Sequence, residues 1–122
     1  MVELINETKD PIRELVGKGE TLEVEFKSAR GGFPGSFWES YSAFANTNGG
    51  TIVLGVVEKN NRFLFDGLTE ETIIRYKKIF WDCAHNKGKT SVCLPRESDV
   101  RIEQVDGSFI LICEIPRASY EF

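Results

Sequence analysis

The chain has few of the residues that zinc sites and disulfide frameworks require. Its 122 residues include three cysteines, Cys83, Cys93 and Cys113, and one histidine, His85. No Cys-x-x-Cys pair is present, so a structural zinc, which needs about four converging ligands, is not expected. Cys93 and Cys113 lie among Val, Leu and Ile, where a free thiol acts as a small apolar side chain. Reduced, buried cysteines predict a cytoplasmic protein.

Long apolar runs and an excess of basic residues are also missing. No stretch approaches the roughly eighteen apolar residues of a membrane helix, and the start, MVELINETKD, lacks the basic-then-apolar pattern of a secretory signal. Fifteen Lys and Arg stand against nineteen Asp and Glu, which gives a net charge of −4. Because phosphate binding needs clustered cations, any contact with nucleic acid must rest on a local patch or on another part of the protein.

Strand patterns occur in four parts of the chain. In LEVEFK, residues 22–27, apolar and charged residues alternate, as in a half-buried strand with its charges on one face. TIVLGVV, residues 51–57, is apolar throughout and predicts one central strand that is buried on both faces. RFLF, residues 62–65, should form a hairpin with it. Asp106 and Gly107 predict the turn of a second hairpin, whose apolar last strand should be central.

Three helices are predicted between these strands. A short helix should open the chain, with a proline in its first turn. The second should begin at Ser36, in a capping box with Glu39, and end at Gly49 or Gly50. The longest should begin at Thr69 and reach about residue 85, with one buried stripe. The element order predicts an α+β fold, a mixed β-sheet of about five to six strands with helices packed on it.

Three segments follow one another as in a known family: LEVEFKS at 22–28, SAFANTNGGTIVLGV at 42–56 and ILICEIPRAS at 110–119. Together they resemble the Schlafen-type AlbA-like domain, over nearly the whole chain from about residue 19. The resemblance implies the Schlafen AlbA-like fold and a DNA-binding role. In bacteria this domain usually stands at the N-terminus of transcriptional regulators or helicase-related proteins, before an ATPase-like region. Residues 1–122 are therefore expected to be a single domain from a longer regulator that binds DNA rather than RNA, with a homodimer as one arrangement and no membrane partner.

In Schlafen relatives the domain is a metal-dependent endoribonuclease that acts on structured RNA. The resemblance places the relatives' catalytic carboxylates on Glu20, Glu25 and Glu58, which would hold Mg²⁺ or Mn²⁺ to activate a nucleophile. Lys27 would then neutralise charge on the phosphate. The chain departs from the family at Val57, where an acid is common. In the other interpretation the Glu-x-Glu-x-Lys strand forms cross-strand ion pairs, and the domain needs no metal.

The predicted contacts with nucleic acid come from a strand, a loop, a helix end and a turn. Arg30 lies in a Gly-rich loop beside Phe33 and Phe37, a combination that suits phosphate contact with base stacking. In AFANTNGG, residues 43–50, the amides could contact phosphate and sugar or satisfy backbone groups, while a helix end explains the glycines. The predicted set is Lys27, Arg30, Asn46, Asn48 and Arg62.

The sequence leaves three functions open. The favoured one is a nucleic-acid-binding domain of a bacterial transcriptional regulator. The second is a metal-dependent Schlafen-like endoribonuclease. The third is a non-catalytic scaffold or oligomerisation domain, which the negative net charge keeps in view.

Overall fold

Six strands and two α-helices follow one another in the part of the chain that the computed structural model describes, residues 23–60, 62–84 and 96–118. The strands are β1 (Val24–Lys27), β2 (Gly50–Leu54), β3 (Val56–Lys59), β4 (Arg62–Phe65), β5 (Val100–Val105) and β6 (Ser108–Ile115), and the helices are α1 (Phe37–Ala45) and α2 (Glu70–Ala84). A 3₁₀ turn, Glu97–Asp99, precedes β5. The predicted opening helix lies outside the described residues.

The main sheet has the strand order β1-β2-β6-β5. β1 runs parallel to β2, whereas β6 is antiparallel to both β2 and β5. The last strand is therefore central, as its apolar sequence predicted. Asp106 (φ 50°) and Gly107 (φ 83°) both have the positive φ that a tight hairpin turn requires, so the predicted β5–β6 hairpin is confirmed. The α+β class with a mixed sheet is confirmed as well.

The apolar run at 51–57 does not form one strand, and that prediction was wrong. Gly55 has φ +108°, which few other residues adopt, and it ends β2 so that β3 leaves the main sheet. A Cβ at Gly55 would lie 3.2 Å from Ile110 Cγ2 and from Phe109 O. The chain then forms the predicted β3–β4 hairpin, which is a separate two-stranded sheet.

The main sheet is covered on both faces. Helices α1 and α2 pack on one face, against Ile52, Leu54 and Leu111, while the β3–β4 hairpin packs on the other, against Val53 and Ile112. The helices bring an aromatic cluster into the first core, in which buried or half-buried rings meet edge to face or stacked: Phe33, Phe37, Trp38, Tyr41, Tyr76, Phe80 and Trp81. Burying such large side chains supplies most of the stability of a domain this small.

Both helices begin close to the predicted residues. In α2 the Thr69 hydroxyl accepts a hydrogen bond from the Thr72 N–H at 3.2 Å. The sequence predicts a buried stripe of Ile73, Tyr76, Phe80, Cys83 and Ala84, and all of these are buried except Cys83, which is half-buried. Ser36 is the N-cap of α1, but its side chain forms no capping hydrogen bond, so the predicted capping box is wrong. Its hydroxyl instead accepts from Lys27 Nζ. Neither helix is long and apolar enough to span a membrane within the described residues.

Candidate nucleic-acid interface

Glu25 and Lys27 lie on the face of β1 that the helices cover. They are register partners of Ile52 and Leu54, which belong to the helix-side core. Lys27 Nζ lies 2.9 Å from Glu25 Oε2 and donates to Ser36 Oγ at 3.0 Å, and only 12% of the Lys27 side chain is exposed. The sequence placed these charges on an outward face, whereas the structure pairs them beneath the start of α1. The ammonium group is therefore engaged within the fold.

The predicted metal site is described only in part. Glu20 and the side chain of Glu58 lie outside the described residues, and Glu25 forms the ion pair with Lys27. Within the described residues, no group of three His, Cys, Asp or Glu side chains is placed to hold a metal ion. The Mg²⁺ or Mn²⁺ site thus stays a prediction from the family resemblance.

The loop after β1 carries Arg30 and is fixed through the two residues before it. The Ala29 N–H donates to Asp66 Oδ2 at 2.7 Å, and Ser28 Oγ donates to the same carboxylate at 3.1 Å. Tyr76 Oη donates to the Ala29 carbonyl at 2.9 Å in a buried position. Arg30 itself is exposed, and no other described residue forms a hydrogen bond or ion pair with its side chain. The Arg30 guanidinium, which is unpaired among the residues that the structure describes, therefore projects from an anchored backbone.

The aromatic rings at the same loop are buried or half-buried. Phe37 is 0% exposed, so the prediction that it stacks on a base was wrong. Phe33 is half-buried, with its ring 5.0 Å from that of Phe37 and 6.1 Å from that of Tyr76. Ile74 is the one large hydrophobic side chain that is exposed in the described part of the chain. Contact with nucleic acid through these residues would therefore use charge and not base stacking.

The β3–β4 hairpin ends in two neighbouring cations. Lys59 and Arg62 are register partners beside the turn, where Asn60 has φ 55°. Both side chains are exposed, and neither is paired with another described residue. We call these two residues the basic tip. Residues 28–36 and 56–66 together carry three cations and two acids, whereas the whole chain has a net charge of −4, so this region differs from the rest in having a small positive net charge.

β4 connects the basic tip to the Arg30 loop. At one end, the ring of Phe63 contacts that of Phe26 at 4.9 Å, which fixes β4 over β1. At the other end, Asp66 follows the strand directly and holds the loop. From Arg62 to Asp66 is four residues, a span of roughly 13 Å in an extended strand. Arg30 and the basic tip therefore lie at opposite ends of one fixed element.

Asn46 and Asn48 lie at the other end of the main sheet, before the start of β2. Asn46 is the C-cap of α1, and Thr47 Oγ1 donates back to the Ala43 carbonyl at 2.9 Å. Gly49 closes the helix end, because its N–H donates to the Phe44 carbonyl at 2.8 Å. A role in ending the helix therefore accounts for Gly49. β1 separates the two asparagines from Arg30, since β2 begins where the parallel strand β1 begins.

A cleft of about 750 Å³ lies beside Asn48 and was not foreseen from the sequence. Asn48, Arg96 and Arg117 line it together with acidic residues. Asp99 Oδ2 lies 3.9 Å from Arg96 Nε, and Glu114 accepts from Arg101 at 2.7 Å, so Arg96, Asp99 and Glu114 are each paired with an opposite charge. Because strands far apart in the chain build this cleft, no local pattern could have revealed it.

Sequence reasoning also missed Asp66. Its position between an apolar strand and a glycine suggests a turn, but its partners Ser28 and Ala29 are 38 and 37 positions away. An acid that directly follows a strand is a weak signal, because most such acids are solvated.

Comparison with known proteins agrees with the fold. The N-terminal domain of an ATP-dependent DNA helicase RecG-related protein from Nitrosomonas europaea, solved in solution by NMR, is similar with a TM-score of 0.61 and 26% identity, over 96% of this chain and 72% of that one. No curated protein matches the chain. The model of the Schlafen AlbA_2 family matches residues 20–121, which is most of the chain. The chain belongs to the Schlafen AlbA_2 family.

Proposed function

We propose that this chain is a nucleic-acid-binding domain that contacts the phosphate backbone of DNA through Arg30 and the basic tip. The observation that carries the proposal is the pair of exposed cations, Lys59 and Arg62, at the end of a two-stranded ribbon. A ribbon of this kind fits the major groove of duplex DNA, where cations on its end reach phosphates. Family membership and the helicase-related neighbour support the same role.

The spacing of these cations suits a backbone. One DNA strand presents a phosphate about every 3.4 Å along the helix axis, so the roughly 13 Å of β4 corresponds to about four steps. Arg30 and the basic tip can therefore meet different phosphates of one site. Three contacts are few, so we expect weak, salt-sensitive binding by the isolated domain and tighter binding where a second copy doubles the contacts.

Three residues of the predicted set are left out of this interface. Lys27 is committed to Glu25 and Ser36, and its side chain is nearly buried. Asn46 and Asn48 lie at the opposite end of the main sheet. The proposed contact set is then Arg30, Lys59 and Arg62.

We further propose the setting of this domain. It would act in the cytoplasm as the N-terminal part of a bacterial transcriptional regulator, with an ATPase-like region after it. A reduced, buried Cys113 fits a cytoplasmic protein. The neighbour fits an ATP-using partner region, because its name describes that protein as related to the ATP-dependent DNA helicase RecG.

A salt titration with matched charge variants tests the binding role. The affinity for a short duplex would be measured by fluorescence anisotropy across salt concentrations. Each phosphate contact contributes roughly 0.9 to the slope of log affinity against log salt, so three contacts give about −2.7. The double variant Lys59→Gln/Arg62→Gln should lose about 1.8 of this slope. Arg75→Gln/Lys77→Gln removes the same charge from α2 and should leave the slope unchanged.

The outcomes separate the candidate roles. Loss of slope in the hairpin variant alone supports binding at the basic tip. Equal losses in both double variants would mean that net charge, and not the hairpin, governs binding. No measurable binding at low salt, together with self-association in light scattering, would favour the scaffold alternative.

A further inference from the structure

Asp66 joins three separate parts of the chain. Its carboxylate accepts hydrogen bonds from the Ala29 N–H at 2.7 Å and from Ser28 Oγ at 3.1 and 3.2 Å. Its own N–H donates to the Gly55 carbonyl at 2.8 Å. Because Asp66 directly follows β4, these bonds tie the loop after β1 to the end of the hairpin and to the break between β2 and β3. The loop cannot move independently of the hairpin while they hold.

Ala29 is held through both of its main-chain groups. Asp66 binds its N–H, and Tyr76 Oη binds its carbonyl from α2 at 2.9 Å. The Ala29 side chain is 0% exposed, so the residue is also packed into the core. Arg30 is the next residue along the chain. Within the loop, the Gly32 N–H also donates to the Ala29 carbonyl at 3.3 Å. The direction in which Arg30 leaves the fold is therefore set largely by the bonds to Ala29.

We propose that Asp66 is a positioning residue of the nucleic-acid interface, because it holds Arg30 at a fixed distance from the basic tip. This inference rests on the proposed function. The negative charge of Asp66 would by itself exclude the residue from a role in binding DNA. An acid beside a polyanion is repulsive, so electrostatics alone predicts that its removal strengthens binding. A positioning role predicts the opposite sign, since a freed loop must be ordered again at each binding event.

The expected loss of affinity follows from the free-energy cost of ordering the loop. Fixing the backbone of one residue costs about as much free energy as a tenfold change in affinity. Asp66→Ala should therefore weaken duplex binding on the order of tenfold at low salt, while the salt slope stays close to that of the natural protein because Arg30 still meets its phosphate in the complex. Asp66→Asn keeps an oxygen that accepts from the Ala29 N–H while it lacks the charge. It should bind at least as tightly as the natural protein.

A double-variant comparison separates positioning from general loss of structure. In an Arg30→Gln background the side chain that Asp66 positions is gone, so Asp66→Ala should cause no further loss of affinity. A loss of the same size in both backgrounds would overturn the proposal. The proposal would also be overturned if Asp66→Ala bound the duplex as tightly as the natural protein or more tightly.

Two controls keep the test decisive. Urea unfolding shows whether Asp66→Ala is folded under the binding conditions. If it is not, Tyr76→Phe serves in its place, because it removes only the hydrogen bond to the Ala29 carbonyl and should weaken binding in the same direction, again only while Arg30 is present. Unchanged binding by a folded Tyr76→Phe would then overturn the proposal. Absence of binding by the natural protein would instead refute the proposed function itself.

Discussion

Replacing Gly49 by alanine should destabilise the fold, because backbone atoms occupy the space that a Cβ would need. Gly49 has φ +83°, and a Cβ at this residue would lie 2.7 Å from Ile115 O and 3.1 Å from Arg117 N. Real Cβ atoms essentially never approach another atom more closely than 3.0 Å. Both atoms belong to the main chain at the end of β6, so neither can rotate away as a side-chain atom would.

The loss of unfolding free energy in Gly49→Ala has two parts, which a matched variant can separate. An L-residue in a left-handed conformation costs about 1–2 kcal/mol, and overpacking typically adds about 1–3 kcal/mol. Gly107 has the same φ of +83°, but nothing lies within 4 Å of the position that a Cβ would take there. Gly107→Ala should therefore lose only the first part. We expect Gly49→Ala to lose about 1–3 kcal/mol more than Gly107→Ala, a large share of the stability of a small domain.

Urea unfolding followed by circular dichroism measures the difference directly. The two variants should share the m-value of the natural protein while their midpoints fall by different amounts. Equal midpoints in the two variants would refute the close approach at Gly49. The result bears on function as well, since a structural role for the glycine leaves less reason to assign AFANTNGG to nucleic acid.

Two further predictions concern the buried thiol and the nuclease alternative. Burial raises the pKa of the Cys113 thiol far above its usual range. The contribution of the protonated thiol to stability is therefore complete below the unfolded cysteine pKa of about 8.5, and the free energy of unfolding should fall as pH rises above that value. Cys113→Val should remove this pH dependence. For the nuclease alternative, the Glu25–Lys27 ion pair leads us to expect no cleavage of structured RNA with Mn²⁺ by the natural protein or by Glu25→Gln. Cleavage that Glu25→Gln abolishes would establish the alternative.

Local patterns predicted most of the elements. Alternating residues located β1, helical periodicity located α1 and α2, and the turn at Asp106 and Gly107 located the β5–β6 hairpin. These signals are reliable because each depends on residues close together in the chain. The run at 51–57 misled because apolar composition does not distinguish one long strand from two strands that bend at Gly55. Contacts with distant segments accompany the bend, since Phe109 and Ile110 pack against that glycine and the Asp66 N–H donates to its carbonyl.

The candidate site was less accessible from sequence. Arg30 and Arg62 were identified because they lie in a Gly-rich loop and at a predicted turn, but their separation depends on how β4 packs on β1. Lys27 looked like an outward cation, since a strand's period of two does not tell which face a helix will cover. Asp66 was missed because its role depends on Ala29, 37 positions earlier. Contacts between distant segments decide these roles, and one sequence does not encode them locally.

The location of DNA on the surface is the most direct test of the proposed function. An NMR titration of the ¹⁵N-labelled domain with a short duplex at low salt would follow every backbone amide. We predict that the largest shift changes occur at Arg30 and at Lys59 and Arg62, with little change at Arg75 on α2. Largest changes on α2, or around the cleft at Asn48 and Arg117, would contradict binding at the basic tip.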